Sequence, residues 1–300
     1  MTTTVRGSRR PVHHRARWRG AAIGLAFVLP MFVLFVLFRF GPFLGGLVLA
    51  FSEYTLGGGI EWTGLANFER LAEDKLFWQA LVVTVIFTVI SVPLLIAVAT
   101  GMALLVRRKF RGVSFFRSVF FLPVITSLVL AGIIFVWIFN SGGPVPRLMG
   151  ALGLTEQSWL TSETLAIPAV AIVSVWGRFG FDMLIVLARL QDIPRELDEA
   201  AMMDGANGWQ RFRSVTLPQL RPVFFFLSVI EVIGSFQVFD AVYIMTGGGP
   251  GNATYTLGFM LYDQAFRYFD FGYASAVALV LFVIVLMLAL VQRRIFDRED

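Results

Sequence analysis

The sequence predicts an all-α membrane protein: six transmembrane helices with a cytoplasmic loop between the fourth and the fifth. Three observations predict it. The 300-residue chain is 57% hydrophobic and only 15% charged, against roughly 45–50% apolar and ~25% charged in soluble domains. Several apolar runs reach the roughly 20 residues that a helix needs to cross a bilayer. Lys and Arg gather at alternate ends of those runs: about 19 of the 25 fall in segments assigned to the inner side and about five in outer ones. The net charge of +5 therefore reports orientation in a membrane and not a nucleic-acid partner. There is no cysteine, which excludes disulfides, thiolate metal sites and cysteine nucleophiles. The only histidines, His13 and His14, sit in a basic N-terminal stretch.

Residues 1–19 carry Arg6, Arg9, Arg10, Arg15, Arg17 and Arg19 with no acid, and are read as a disordered cytoplasmic tail. The apolar run Gly20 to Phe38 follows. It is longer than a signal-peptide core and lacks a small-residue cleavage site, so it is read as an uncleaved first span. Gly41-Pro42 is expected to break it. The loop over about 52–77 is acid-rich and external. Trp78 to Val106 is the second span, kinked at Pro93 and Gly101, and RRKFRG at 107–112 is an inner turn. Phe115 to Asn140 is the third span, kinked at Pro123. A second outer loop follows, and Leu165 to Leu190 is the fourth span. Val223 to Met245 is the fifth. The glycine-rich segment after it is external and partly re-entrant. Tyr273 to Gln292 is the sixth, and residues 293–300 form a cytoplasmic tail with Arg293, Arg294 and Arg298. The membrane domain thus occupies 20–292, with both termini inside.

The polar stretch Asp192 to Pro222 reads as helix, turn, helix. Pro194 suits the first helical turn. Leu197, Ala200 and Ala201 share one face, with Glu196, Asp198 and Glu199 mostly off it. Gly205 and Gly208 end the helix. Asn207 and Gln210 have capping-box spacing. The second helix, with Trp209 and Phe212, is expected to stop at Leu217-Pro218, because a residue before proline is pushed out of the α region. Read from the residues alone, this is an amphipathic hairpin joining two membrane helices.

Its residue types carry more. Glu199-Ala200-Ala201, three residues, Gly205, nine residues, then Val215-x-Leu217-Pro218 resembles the EAA loop of ABC-importer permeases. The segments FWQAL before span two, FFRSVFFLPVITS in span three and FQVFDAVYIMTGGGPGNATYTL in span five are similar to the same family, and the last looks most like its carbohydrate-uptake branch. The resemblance implies the type I importer permease fold in the bacterial cytoplasmic (inner) membrane. It also implies a second permease subunit, usually a different chain, two ATP-binding cassette subunits, an extracytoplasmic solute-binding protein, and no cofactor in this chain, since ATP and Mg²⁺ would belong to the ATPase. Glu199, Ala200, Ala201, Gly205, Leu217 and Pro218 would couple to that ATPase.

No GxxxxGK[ST] occurs, so nothing here cradles ATP phosphates, and there is neither a nucleophile elbow with a histidine nor a metal cluster. The chain is expected to transport and not to catalyse. Ionisable residues inside the spans are the functional candidates, because they are costly in hydrocarbon. Arg178 and Asp182 stand at i, i+4 on span four, spaced for an internal ion pair. Glu231, Gly234, Ser235 and Val238 share a face of span five, and Arg178 is one partner available to Glu231. Trp176, Phe179 and Phe181 offer an aromatic wall, and Asp240 is expected to brace the TGGGP loop. By resemblance to the maltose-type permease, Arg178, Phe181, Glu231, Gly234, Ser235 and Val238 fall at sugar-binding positions, and Asp182 joins them as a candidate. Arg178 and Glu231 replace smaller residues there, which leaves the sugar open and admits an anionic or amino-substituted ligand. A secondary, ion-coupled transporter is the alternative. It needs its own coupling residues and often inverted repeats, and no repeat is evident. A membrane enzyme would need a His, Cys or metal constellation, which the sequence lacks.

Overall fold

The computed structural model describes residues 14–55, 59–107 and 110–296. The first part of the basic tail, the Gly57-Gly58 turn, Arg108 and Lys109 of the inner turn, and the last residues including Arg298 lie outside the described residues. Six helical segments are long and apolar enough to cross a membrane, and one shorter apolar helix accompanies them.

The first segment begins at α1 (His14–Phe35), inside the stretch read as a tail, and continues through a π turn (Val36–Phe40) into α2 (Gly41–Ala50). Gly41-Pro42 does not break it. The widened turn, closed by the Gly41 N–H on the Val36 carbonyl, makes room for the proline ring that would clash in a regular helix. Arg39 therefore lies within the span. After it, β1 (Ser52–Thr55) and β2 (Gly59–Trp62) form a small antiparallel hairpin, the one departure from helix among the regular elements of the described residues. The amphipathic α3 (Ala66–Glu73) follows. The span α4 (Lys75–Arg107) is 33 residues long, and Pro93 is carried inside it.

The third span is two helices, not one kinked helix: α5 (Val113–Ile125) and α6 (Leu128–Phe139), separated by extended backbone at Thr126 and Ser127. Pro123 removes one ladder donor near the end of α5, and the break follows within a turn. The outer helix α7 (Pro144–Ala151) leads to α8 (Ala166–Asp192), the most buried of the spans. Where α8 crosses α5, Gly180 lies against the Phe120 carbonyl, and any side chain there would collide with backbone.

The hairpin between the fourth and fifth spans is α9 (Arg195–Met203) and α10 (Gly208–Arg211). A π turn (Phe212–Thr216) then runs directly into α11 (Leu217–Phe236), so the expected stop at Leu217-Pro218 does not occur. Leu217 keeps right-handed helical dihedrals, and its N–H reaches back to the Phe212 carbonyl across the widened turn. This is the device seen at Pro42: in both places the π turn ends two residues before the proline. The fifth span also ends early. Helix α11 stops at Phe236, Gln237–Phe239 is irregular, and α12 (Asp240–Met245) is separate.

The segment after α12 folds inward. Thr254, Thr256, Leu257, Phe259 and Met260 are buried, and α13 (Leu257–Tyr262) starts with the Leu257 N–H on the Thr84 hydroxyl of α4 at 2.9 Å. A π turn (Asp263–Arg267) and α14 (Phe271–Phe296) close the chain. The core is α4 against α8, with one apolar cluster toward the β-hairpin end of the spans and another around Ala99, Ala103, Met183, Leu187 and Leu227 toward the α9–α10 end.

Candidate functional site

Both helix breaks open onto the same space. A cavity of about 310 Å³ is lined by α4, the α5–α6 break, α8, α11 and the α11–α12 break. Irregular backbone at membrane depth is tolerated where it borders a cavity and not lipid, which is the reason two spans predicted as continuous are split here. Arg178 reaches from α8 to α11. Its Nε donates to Glu231 Oε2 at 2.9 Å and its Nη2 to Oε1 at 2.5 Å, a bidentate pair. Glu231 is 4% exposed and Arg178 50% exposed, so the carboxylate is held in the wall and the guanidinium flanks the opening.

One turn on, the Ser235 hydroxyl lies 2.9 Å from that of Thr88 on α4. Thr88 in turn donates to the Thr84 carbonyl, and Thr84 donates to Ala80 while accepting from Leu257. This hydroxyl ladder ties α4 to α11 and α13. Gly234 and Val238 complete the face predicted from the sequence, with Ser174, Thr126, Gln237 and Asp240 around them. Ser91, also lining the cavity, is 5% exposed and its hydroxyl has no hydrogen-bond partner among the described residues.

The predicted set is therefore divided. Arg178, Glu231, Gly234, Ser235 and Val238 meet at the cavity. Phe181 is 44% exposed and outside its lining. Asp182 is fully buried, also outside the lining, and neither of its oxygens finds a hydrogen-bond partner among the described residues. The internal Arg178–Asp182 pair does not form, because Glu231 offers both oxygens to the guanidinium fork. The aromatic wall is also not where the sequence placed it. Trp176 packs edge-on against Phe135, and Phe179 against Phe120. Phe87 and Phe239 line the cavity instead, Phe239 backed by Tyr243 and Tyr262. Asp240 does not brace the TGGGP loop. That loop is held by Thr246 and Thr254, whose hydroxyls are 2.7 Å apart, and by Thr254 donating to the Gly249 carbonyl. Asp240 was assigned away from the cavity because an unbroken helix would point it opposite Glu231; the break at Gln237–Phe239 brings it into the lining along with Gln237.

The α9–α10 hairpin is built differently. Helix α9 contains no buried residue, and Leu197, Met202, Met203 and Trp209 are exposed. It ends in a Schellman turn: the Ala206 N–H reaches the Ala201 carbonyl, the Gly205 N–H reaches Met202, and Gly205 adopts φ +81°. Gly208 does not end α9 but opens α10. Asn207 caps α10, its side chain accepting from the Gln210 N–H at 3.0 Å while the Gln210 side chain accepts from the Asn207 N–H at 2.8 Å. Asp198 and Arg211 join the two helices at 3.1 Å. Glu199 is exposed and none of the described ion pairs engages it.

Residues 94–299 match the model of the binding-protein-dependent transport system inner membrane component family. The chain belongs to that family. The match to this transport component contains α8, the hairpin and α11, and so both regions just described. Among similar proteins, the lactose transport system permease protein LacF of Rhizobium radiobacter is 37% identical over 299 residues, covering 97% of each chain. The sulfoquinovosyl glycerol transport system permease protein SmoG of Agrobacterium fabrum is 33% identical over 304 residues, covering 99% of each. A solved bacterial ABC transporter involved in the import of the acidic polysaccharide alginate shares the fold, with a TM-score of 0.81 at 22% identity over 93% of this chain and 96% of that one. The family consists of membrane transport components, and the mostly helical six-span architecture is that of the type I importer permeases.

Proposed function

We propose that this chain is a permease subunit of an ATP-driven importer that moves a sugar or sugar-like solute inward across the bacterial cytoplasmic membrane. The observation that carries the reading is the hairpin over 193–216. It is an ordered, capped helix pair, with no residue of α9 or α10 buried and with the EAA residue pattern, of the kind that fits a groove in another protein. Glu199, Ala200, Ala201 and Gly205 form its presented part, and Leu217 and Pro218 transmit its position into α11. An ATPase pair closing on ATP would move the hairpins, and the permeases would rock between inward- and outward-open states. A second permease, two ATP-binding cassette subunits and an external solute-binding protein complete the machine. Both termini face the cytoplasm, on the side where the arginines gather. The relatives named for lactose and for sulfoquinovosyl glycerol support a saccharide as the solute. The cavity, with hydroxyls, a charged pair and the rings of Phe87 and Phe239, suits one. Arg178, Glu231, Gly234, Ser235 and Val238 form its binding wall.

Reconstitution into liposomes tests this. Uptake requires ATP on the face carrying the hairpin and the solute-binding protein on the opposite face. Uptake driven by an ion gradient without ATP would instead establish a secondary transporter.

A further inference from the structure

The charges around the cavity do not balance. Three of its lining residues ionise: Arg178, Glu231 and Asp240. Arg178 commits two N–H groups to Glu231, and both oxygens of Glu231 are engaged, so that pair is neutral as a unit. Asp240 is exposed at the start of α12, and none of the described hydrogen bonds or ion pairs engages its carboxylate. Asp182, buried on α8, adds no positive charge. The surplus in the cavity is one free carboxylate. The same cavity is also lined by Gln237, which is exposed, and by Ser91, whose buried hydroxyl has no partner among the described residues.

We infer that the cavity takes uncharged or amino-bearing saccharides and excludes acidic ones, with Asp240 as the residue that sets this preference. The inference rests on the transport reading above and deepens it. A carboxylate accepts hydrogen bonds from sugar hydroxyls and, more strongly, from an ammonium group. The same carboxylate repels a uronate or a sulfonate, and low-dielectric walls focus its field. Arg178 keeps further N–H groups free at the opening, but its charge is already balanced by Glu231, and releasing it to an anionic solute would leave Glu231 buried without a partner. Family membership does not choose between the two chemistries, since the relatives include transporters named for lactose and for sulfoquinovosyl glycerol.

The absence of cysteine allows a direct test. Val238→Cys places one thiol of this chain in the cavity wall. The complete complex is reacted separately with a cationic reagent (trimethylammonium-ethyl methanethiosulfonate) and an anionic one (sulfonatoethyl methanethiosulfonate), and modification is followed on this chain's own peptide by mass spectrometry. The cation-to-anion rate ratio is expected to exceed that of a small neutral thiol by about tenfold, the low end of such focusing. Adding Asp240→Asn is expected to bring it within about twofold of the free thiol. Gly234→Cys serves as a second reporter where Val238→Cys fails to assemble. A ratio at or below that of the free thiol, or one unchanged by Asp240→Asn, overturns the inference. Because labelling needs no transport, loss of ATP-driven uptake with the ratio intact would count against the importer reading and not against the charge preference.

Discussion

The cavity wall and the hairpin between the fourth and fifth spans are the two candidate functional regions of the chain, and they are ordered by opposite means. In the wall the decisive contacts are long-range: Arg178 and Glu231 are 53 residues apart, and Thr88 and Ser235 are 147 apart. In the hairpin they are local: Asp198 and Arg211 are 13 apart, and Asn207 and Gln210 only three. The wall buries Glu231 and Ser235, whereas α9 and α10 bury nothing. A region shaped by the fold cannot change without touching the fold. A region shaped by its own turns can be altered at its surface while the rest stands. The cavity is thus exposed to damage from many positions, and the hairpin is free to be specified by what it docks against.

The largest effect is expected where function and packing coincide. Glu231→Ala leaves Arg178 without its bidentate partner. Breaking a fully buried pair costs about 3–5 kcal/mol, but Arg178 is half-exposed and water compensates it, so on the order of 2 kcal/mol is expected here. Uptake should fall at least tenfold, with a modest drop in complex melting temperature. The double variant Arg178→Ala/Glu231→Ala removes the stranded charge. It should recover assembly, read by subunit pull-down, and not uptake. Recovery of uptake in the double variant would reduce the pair to a packing strut and leave the wall with no more chemistry than the hairpin.

A charge reversal in the hairpin should separate the two properties that Glu231→Ala mixes. Glu199 is exposed and has no ion-pair partner among the described residues. Glu199→Lys should therefore shift the stability of the chain by no more than about 0.5 kcal/mol. Against a docking groove, repulsion in place of attraction costs several kcal/mol. Solute-stimulated ATPase activity of the reconstituted complex should be lost while melting is unchanged. Wild-type stimulation in Glu199→Lys would make the hairpin a connector only.

The same division decides what the sequence could reveal. Hairpin features follow from neighbouring residue types, so the Asn207–Gln210 capping box and the turn at Gly205 were legible, while Gly208 was assigned to the wrong helix end and the expected stop at Leu217-Pro218 does not occur. Six spans were legible because length and apolarity are one-dimensional properties. Where a span breaks is not such a property. Pro42 and Pro218 are carried through by π turns that relieve the ring clash, while the chain breaks at Thr126-Ser127 and at Gln237–Phe239, where a cavity rewards irregular backbone. Proline rules count the lost donor but not the widened turn or the space beside it. The candidate site was legible as a set of costly charges, and the partner of Arg178 was named among the options. The choice of Glu231 over Asp182, the placement of Phe87 and Phe239, and the entry of Asp240 into the cavity all depend on how α4, α8 and α11 meet.

The smallest effect is expected at Asn207, and it tests the independence of the two regions most closely. Its side chain accepts the Gln210 N–H at the start of α10, and replacing such a cap by alanine costs about 1 kcal/mol, by glycine only a few tenths. That cost is local, because α10 is exposed and its freed donors meet water. Amide exchange at Gln210 and Arg211 should quicken by about fivefold in Asn207→Ala, the factor that 1 kcal/mol represents, and much less in Asn207→Gly. Melting of the complex, which reports the α4–α8 core, should not move, and uptake should fall by no more than about twofold, since docking restores the helix at the cost of the lost cap. If Asn207→Ala instead lowered melting as far as Glu231→Ala, order in the hairpin would have to be conducted through the π turn at Phe212–Thr216 into α11 and the cavity wall. The two regions would then be one cooperative unit, and the contrast between local and long-range order would describe their contacts but not their energetics.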